Sequence, residues 1–470
     1  MQENRMLDMF DNSPLTGRFW LVFALICFSF AFDFFDFYIV GFLVSVIGPA
    51  WHLTYLESSI MLMSAGVGAI LGALLFGTLA DIFGRKPVVL ASMVICALAS
   101  CGIAISPEGN WIIFAILRFF VGLGIGGVAG VQVVMGVEMT PTRYRAVMGG
   151  MPIICPSLGT VFASLSAAHL LGIIGWRGLA LMGAAPGVVA LLMYFLVPES
   201  MRWLLTKSKV KEARQSVATM LSIPVEQVPL DSSYKTPEKA RSSLREVYSP
   251  PTRFWVTVFI WLGFSTANYG VYLWGPTIVS MLMNIDTSHA ASYFVYVAAT
   301  GIIGRVAFCV LPIWINRRWA GAIAGIGIAL SLGAAAIYGQ AYIWGVPAFI
   351  VLLAVGAMFY DGGFCVLSPY TAEIFPVRLS ARGIGIAQAA NGIGKIAGPV
   401  CLAFIAGANN LVAPKATVDA VMPAFLFLAA CGLMATLAFV VFAPNAPQRA
   451  LTLDDEEEHV VPEAQVARLA

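Results

Sequence analysis

Residues 30–41 read FAFDFFDFYIVG, so Asp33 and Asp36 stand three positions apart inside an apolar run from Phe19 to Pro49. A carboxylate in hydrocarbon costs several kcal/mol unless it is paired, hydrated or protonated. Their spacing puts both acids on one face of a helix. Three cations share the predicament: Arg118 in LRFFVGLGIGG (117–127), Arg305, and Lys395 in NGIGKIAGP (391–399). A third acid, Asp361, follows Phe359 and Tyr360. A guanidinium stays charged when buried and therefore needs an anion. Arg305 lies 11 residues before Asn316, roughly 16 Å deep at 1.5 Å per residue. That is too deep to snorkel, so Arg305 is expected to face a cavity or to pair with Asp361. Burial raises a carboxyl pKa and a neighbouring guanidinium lowers it. An acid that a cation approaches and leaves can therefore switch between accepting and donating a proton. Three acids against three bases leave the interior near neutral; one added proton makes it positive and favours an anionic ligand. Tyr38, Asn268, Tyr269, Tyr272, Gln388 and Asn391 are the other polar candidates for contact with such a ligand.

The surrounding chain explains why these groups lie in hydrocarbon. Of 470 residues, 59% are hydrophobic and 11% charged, against roughly 25% charged in a soluble domain. Lipid is the only solvent that suits such a surface. A bilayer is crossed by about 20 apolar residues as a helix. Breaking the sequence at charges, prolines and turn residues gives twelve spans: 19–48, 57–80, 87–106, 111–136, 147–170, 178–197, 253–283, 289–315, 319–339, 344–372, 381–406 and 420–443. Of the 27 Lys and Arg, 22 fall in the termini and the alternate loops on the same side, which places both termini in the cytoplasm by the positive-inside rule. The GxGxG of the fourth span, with glycines at 122, 124, 126 and 127, is not a dinucleotide loop, because no strand precedes it; its glycines instead let helices approach closely.

A shift of 235 residues lays one half of the chain on the other. Arg18-Phe19-Trp20 falls on Arg253-Phe254-Trp255, Glu138 on Glu373, Pro141 on Pro376, Arg143 on Arg378, Asp33 on Asn268 and Asp81 on Asn316. The expected organisation is an N-terminus at 1–18, a six-helix half at 19–197, a cytoplasmic linker with short helices at 198–252, a second six-helix half at 253–443 and an acidic tail at 444–470. Repeated halves of this kind bind their ligand near the bilayer midplane, between the halves. The N-terminus lacks the basic start and short apolar core of a cleaved signal peptide. The first span is thus expected to act as an uncleaved anchor.

GTLADIFGRK (77–86), between the second and third spans, closely resembles the loop signature of the Major Facilitator Superfamily, G-x-L-a-D-x-x-G-R-[KR]. The resemblance implies an all-α fold of twelve transmembrane helices in two pseudo-twofold halves that move by alternating access. It also implies a cytoplasmic charge latch of Asp81 and Arg85 with Glu138 or Arg143, repeated more weakly around Glu373 and Arg378, where Asn316 replaces the aspartate. PESMRWLL (198–205) resembles the P-E-S-P-R-[WF]-L ending of sugar porters, organic-ion transporters and aromatic-acid symporters. Pro198 ends the sixth span, and Glu199 is expected beside the start of the following helix, a favourable dipole position. DFFDFYIVG (33–41) is similar to the D-G-x-D motif of aromatic acid:proton symporters, with Phe34 where glycine is usual. Related proton-coupled sugar porters pair an acid on the first helix with an arginine on the fourth. By matching position that pair is Asp36 with Arg118 here, with Asp33 as the second candidate.

The expectation is a proton-coupled symporter of the inner membrane, functional as a monomer, that imports a small organic acid, possibly aromatic. Its ligand contacts are expected among Tyr38, Asn268, Tyr272, Arg305, Asp361, Gln388, Asn391 and Lys395. Rivals are a proton-coupled exporter of cationic or lipophilic compounds, a sugar:proton symporter, and a membrane sensor that keeps the fold without transport. A net charge of +2 argues against a nucleic-acid partner. The eight cysteines form no CxxC and the four histidines are scattered, so no disulfide framework or zinc site is expected. No nucleophile–base pair suggests an enzyme, and no cofactor beyond the coupling proton is expected.

Overall fold

The computed structural model describes residues 5–148, 154–231, 248, 251–339, 341–343 and 345–444. Hydrocarbon offers the backbone no hydrogen-bond partner, so each apolar segment satisfies its own amides as a helix. The spans are α1 (Gly17–Ala50), α2 (Tyr55–Phe83), α3 (Arg85–Ala104), α4 (Trp111–Glu138), α5 (Cys155–Met182), α6 (Ala185–Leu196), α7 (Pro251–Met283), α8 (Thr287–Val310), α9 (Arg317–Tyr338), α10 (Ala348–Tyr360, continued by Phe364–Ile374), α11 (Val377–Ile405) and α12 (Pro414–Leu437). Among the described residues ten helices are long and apolar enough to cross a membrane. The short α6 and the charge-bearing α11 complete the twelve.

Local chemistry sets the ends. Thr54 and Glu57 form a reciprocal capping box on α2, and Asn110 and Asn316 cap α4 and α9. Gly175, at φ +66°, breaks α5, and its last turns, Trp176–Met182, lead into α6. The expected continuous sixth span is therefore two short helical pieces. The tenth is interrupted as well, at Asp361-Gly362-Gly363. The α9–α10 connection forms a small hairpin, Tyr342–Ile343 against Val346–Pro347, which the hydropathy pattern did not suggest.

Within the first half α2 and α4 pack backbone to backbone. A Cβ at Gly122 or Gly126 would run into the carbonyls of Ala65 and Ala69, the close approach that small residues permit. Across the halves, α1 lies on α7 and α2 on α11, with α5 on α8. At one end of the bundle the halves are joined. Tyr55 N donates to Asn410 O at 3.0 Å, Leu56 N to Ala408 O at 3.0 Å and Val412 N to Leu53 O at 3.0 Å. Ser45 and Thr287 hydroxyls meet at 3.0 Å, and Gly41 brings α1 onto the Tyr272 and Leu273 carbonyls of α7.

At the opposite end lie the chain's N-terminus and the linker. The described part of the linker holds two short helices, Met201–Thr206 and Val210–Leu221; residues 232–247 and the tail from 445 lie outside the described residues. A short helix, Arg5–Asp11, buries Met6, Leu7 and Phe10. Its Asp11 carboxylate accepts from Arg202 Nη2 at 2.7 Å and from Arg145 Nη2 at 3.4 Å, tying the N-terminus to the linker.

Candidate functional site

α1 carries both aspartates into the interior; each is 2% exposed, and Arg118 on α4 is 1% exposed. Arg118 Nη1 donates to Asp36 Oδ1 at 3.2 Å and to the Asp36 carbonyl at 2.9 Å, while Nη2 reaches the Phe37 carbonyl at 3.4 Å. The second carboxylate oxygen, Oδ2, accepts from Ser100 Oγ at 3.0 Å and Cys96 Sγ at 3.2 Å, both on α3. Asp36, on α1, is thus held by groups from two other helices, α3 and α4. Asp33, one turn earlier, is different: its Oδ2 is buried without a hydrogen-bond partner among the described residues.

The second half builds its own pair. Arg305 on α8 donates from Nη2 to Asp361 Oδ1 at 2.6 Å, and Asp361 stands in the break of α10, where its carboxylate is free of a helix. Its other oxygen accepts from Ser157 Oγ on α5, in the first half. A hydroxyl of one half therefore completes the ion pair of the other. Nothing in the sequence singles out Ser157, because the contact spans 204 residues.

Between these pairs lies an aromatic cluster. Tyr38 on α1 donates to Asn268 Oδ1 on α7 at 2.8 Å. Its ring stacks on Tyr269 at 6.0 Å and tilts against Tyr272 at 5.0 Å, and Tyr272 meets Tyr360 edge-on at 5.6 Å. Lys395 on α11 lies across the junction. Its Cβ would be 3.1 Å from a Cβ placed on Gly66 of α2. Its Nζ sits 5.0 Å from the Phe37 ring centre and 5.3 Å from that of Tyr269. Among the described residues Lys395 has no carboxylate within ion-pair reach, unlike Arg118 and Arg305. Asn268 Nδ2 and Tyr272 Oη, one helical turn apart, are buried without hydrogen-bond partners among the described residues. On the same side of α11, Asn391 accepts from Ser265 Oγ at 2.8 Å and donates to Gln388 Oε1 at 3.2 Å.

The charged loops at the linker end carry the other candidates. Arg85 Nη1 pairs with Asp81 at 2.9 Å and Nη2 with Glu138 at 3.4 Å. Arg143 lies outside this network, exposed, with its guanidinium over Tyr144. In the second half Glu373 pairs with Arg317; the Arg378 side chain is outside the described residues. Both networks stay within one half. Glu199 stands beside the start of the following helix, Met201–Thr206, as expected. It does more than flank its own following helix: Oε1 accepts from Arg85 N at 3.0 Å and Lys86 N at 3.2 Å, as well as Ser200 N at 2.8 Å. It therefore caps α3, whose Gly84 supplies no side chain. Burial pushes the Glu199 carboxyl above its ordinary range, and these N–H donors pull it back part of the way.

Comparison with known proteins adds the following. The family model described as sugar (and other) transporter matches residues 22–456. A niacin transporter of Acinetobacter baylyi is 28% identical over 86% of this chain and 91% of that protein. A 4-hydroxybenzoate transporter of Pseudomonas aeruginosa is 26% identical over 80% of this chain and 83% of its own length. Among solved structures, a D-xylose-proton symporter superposes with a TM-score of 0.70 at 20% identity, over 93% of this chain and 100% of that one. The xylose transporter of E. coli in its inward-open conformation gives 0.69 at 16% identity, over 94% and 100%. At these identities the structural likeness speaks for the fold alone.

Proposed function

This chain belongs to the sugar (and other) transporter family, within the Major Facilitator Superfamily, and from that premise we propose that it imports a small aromatic carboxylate together with a proton. The observation that carries the reading is Lys395. Among the described residues Arg118 and Arg305 each have a carboxylate partner, whereas Lys395 has none and lies over two aromatic faces. One unmatched positive charge beneath stacked rings fits a ligand with one carboxylate and a planar body. The buried Asn268 Nδ2 and Tyr272 Oη supply donors for a ring substituent. The relatives that carry niacin and 4-hydroxybenzoate support the same ligand class.

In this reading the carboxylate docks on the Lys395 ammonium, between α1 of one half and α7 of the other, and the ring enters among Phe37, Tyr38, Tyr269 and Tyr272. The linker end, and both termini, face the cytoplasm in this reading, which the excess of Lys and Arg in the loops there supports. The described halves are then joined on the outer side, the inward-facing arrangement. Asp81, Arg85 and Glu138, with Glu373 opposite, brace the cytoplasmic ends of the helices as the halves rock. The acids of α1 take up the coupling proton outside and release it inside, and the transporter acts as a monomer in the inner membrane.

The test compares benzoate with its uncharged analogue benzamide on the Lys395→Gln variant. A charge-assisted hydrogen bond is worth about 1.5–3 kcal/mol, so benzoate affinity falls about 10- to 100-fold while benzamide binding holds. Equal losses for the two ligands, or none for either, would remove the anion anchor from the account.

A further inference from the structure

Three side-chain contacts between the halves join neutral groups: Tyr38 with Asn268, Ser45 with Thr287, and Tyr55 with Thr417. A fourth ends on an ion pair. Ser157 Oγ of α5 donates to Asp361 Oδ2, whose Oδ1 accepts from Arg305 of α8. All three residues are buried, Ser157 completely. Each end of this contact is fixed in its own half. Two residues after Ser157, a Cβ at Gly159 would lie 2.2 Å from the Ala31 carbonyl, so α5 and α1 meet backbone to backbone. In the other half a Cβ at Gly304 would lie 2.2 Å from the Met358 carbonyl, which sets α8 on α10 as closely. Gly301 leaves the space for Asp361, since a Cβ there would lie 2.6 Å from Oδ2. The contact therefore joins two packed bodies rather than two free side chains. Its depth decides what it can do. The backbone bonds of Tyr55, Leu56 and Val412 lie at the outer end and must part when the halves open there. Arg305 stands 11 residues before Asn316, about 16 Å of helical rise, half way through a hydrocarbon core about 30 Å thick. A hydrogen bond tolerates only a few tenths of an ångström of stretch. In halves that have parted on the inner side it survives only near the axis of their motion.

We propose that Ser157 is a positioning residue of the transport cycle: its hydroxyl pins the Arg305–Asp361 pair to the first half, and the seam of α5 and α8 is the pivot on which the halves rock. The inference rests on the inward-facing reading above and deepens it by naming the contact that both facing states share. The outer bonds break and re-form in each cycle, whereas this bond is kept. The ion pair supplies its strength, because a hydroxyl bound to a carboxylate is held more tightly than one bound to a neutral group. Without the hydroxyl, arrangements in which the halves slip along the seam compete with the productive rotation. The ligand anchor at Lys395, on α11, is left intact. Loss of the pivot therefore slows turnover and spares binding, which gives the pair a role other than ligand contact.

Two measurements on the full-length protein in liposomes test the pivot. Spin labels at Leu158 of α5 and Ile303 of α8, exposed neighbours of Ser157 and Arg305, report the seam. Labels on the α1–α2 and α7–α8 connections report the outer end. Gly41→Val, which crowds α1 against α7, is expected to lengthen the outer distance and to leave the seam distance unchanged. In Ser157→Ala the seam distance is expected to broaden. For benzoate uptake, Ser157→Ala should keep KM within about twofold and lose about 10-fold in maximal rate, the ratio that one hydrogen bond to a charged group commands. A seam distance that lengthens with the outer one would make the bond a contact of one state and overturn the proposal. So would a rise in KM as large as the loss in rate, or a maximal rate equal to that of the wild type. Outer distances that stay fixed in Gly41→Val and in the wild type, with and without a proton gradient, would overturn the rocking reading and the pivot with it.

Discussion

At the scale of single residues, the site is defined by which charges are matched. Arg305 and Asp361 neutralise each other, with Ser157 completing the carboxylate from the other half. Removing one partner of a buried pair leaves an uncompensated charge and costs about 3–5 kcal/mol, whereas replacing both by apolar residues is often neutral. Arg305→Leu should therefore lower the melting temperature strongly, and the double variant Arg305→Leu/Asp361→Leu should recover most of the loss. A double variant as unstable as the single would mean that the pair is not the main role of either residue. Some of this was legible beforehand. Depth pointed to Arg305 either facing a cavity or pairing with Asp361, of which the structure shows the pair, and the family resemblance pointed to Asp36 with Arg118. The sequence could not rank Asp33 against Asp36, because their difference lies in Cys96, Ser100 and Arg118, brought in from two other helices. Nor could it show that, of the three cations in the spans, Lys395 is the one without a carboxylate partner among the described residues.

Helices set how these residues can move. α1 meets α7 at Gly41, where an added Cβ would lie 2.8 Å and 2.9 Å from the Tyr272 and Leu273 carbonyls. Overpacking of this kind costs about 1–3 kcal/mol, and the cost falls only on the state in which the two helices touch. Gly41→Val should accordingly shift the population about 10-fold or more toward a state separated on that side. Spin-label distances between the α1–α2 and α7–α8 connections would show the shift as a longer component; an unchanged distribution would mean that α1 and α7 part elsewhere. The spans themselves were readable from hydropathy, though not every end: the fifth, expected at 147–170, runs Cys155–Met182 with a break at Gly175, and residues 149–153 lie outside the described residues. Their interruptions were not, since Gly175 and Gly362-Gly363 resemble the other glycines that pack helices. The Glu199 cap on α3 was also hidden: its N–H partners are 113 and 114 residues away.

For the whole molecule, the repeat of 235 residues explains the architecture better than it explains the site. Each half keeps its own loop-end ion pair, Arg85 with Glu138 and Arg317 with Glu373. Their interior pairs, by contrast, occupy unrelated positions: α1 with α4 in one, α8 with α10 in the other. Asp33 falls on Asn268, the residue that Tyr38 binds across the junction. On the proposed reading, the acids that would take the proton lie in the first half and most of the ligand cluster in the second, with Lys395 and Tyr38 reaching across. Coupling then requires the halves to move together, so ligand and proton must cross as one event. The most direct measurement is benzoate uptake into liposomes holding the purified protein, with an inward proton gradient and no benzoate gradient. The account predicts accumulation above the outside concentration that collapses when the proton gradient is dissipated. Equilibration to equal concentrations, with or without the gradient, would contradict it.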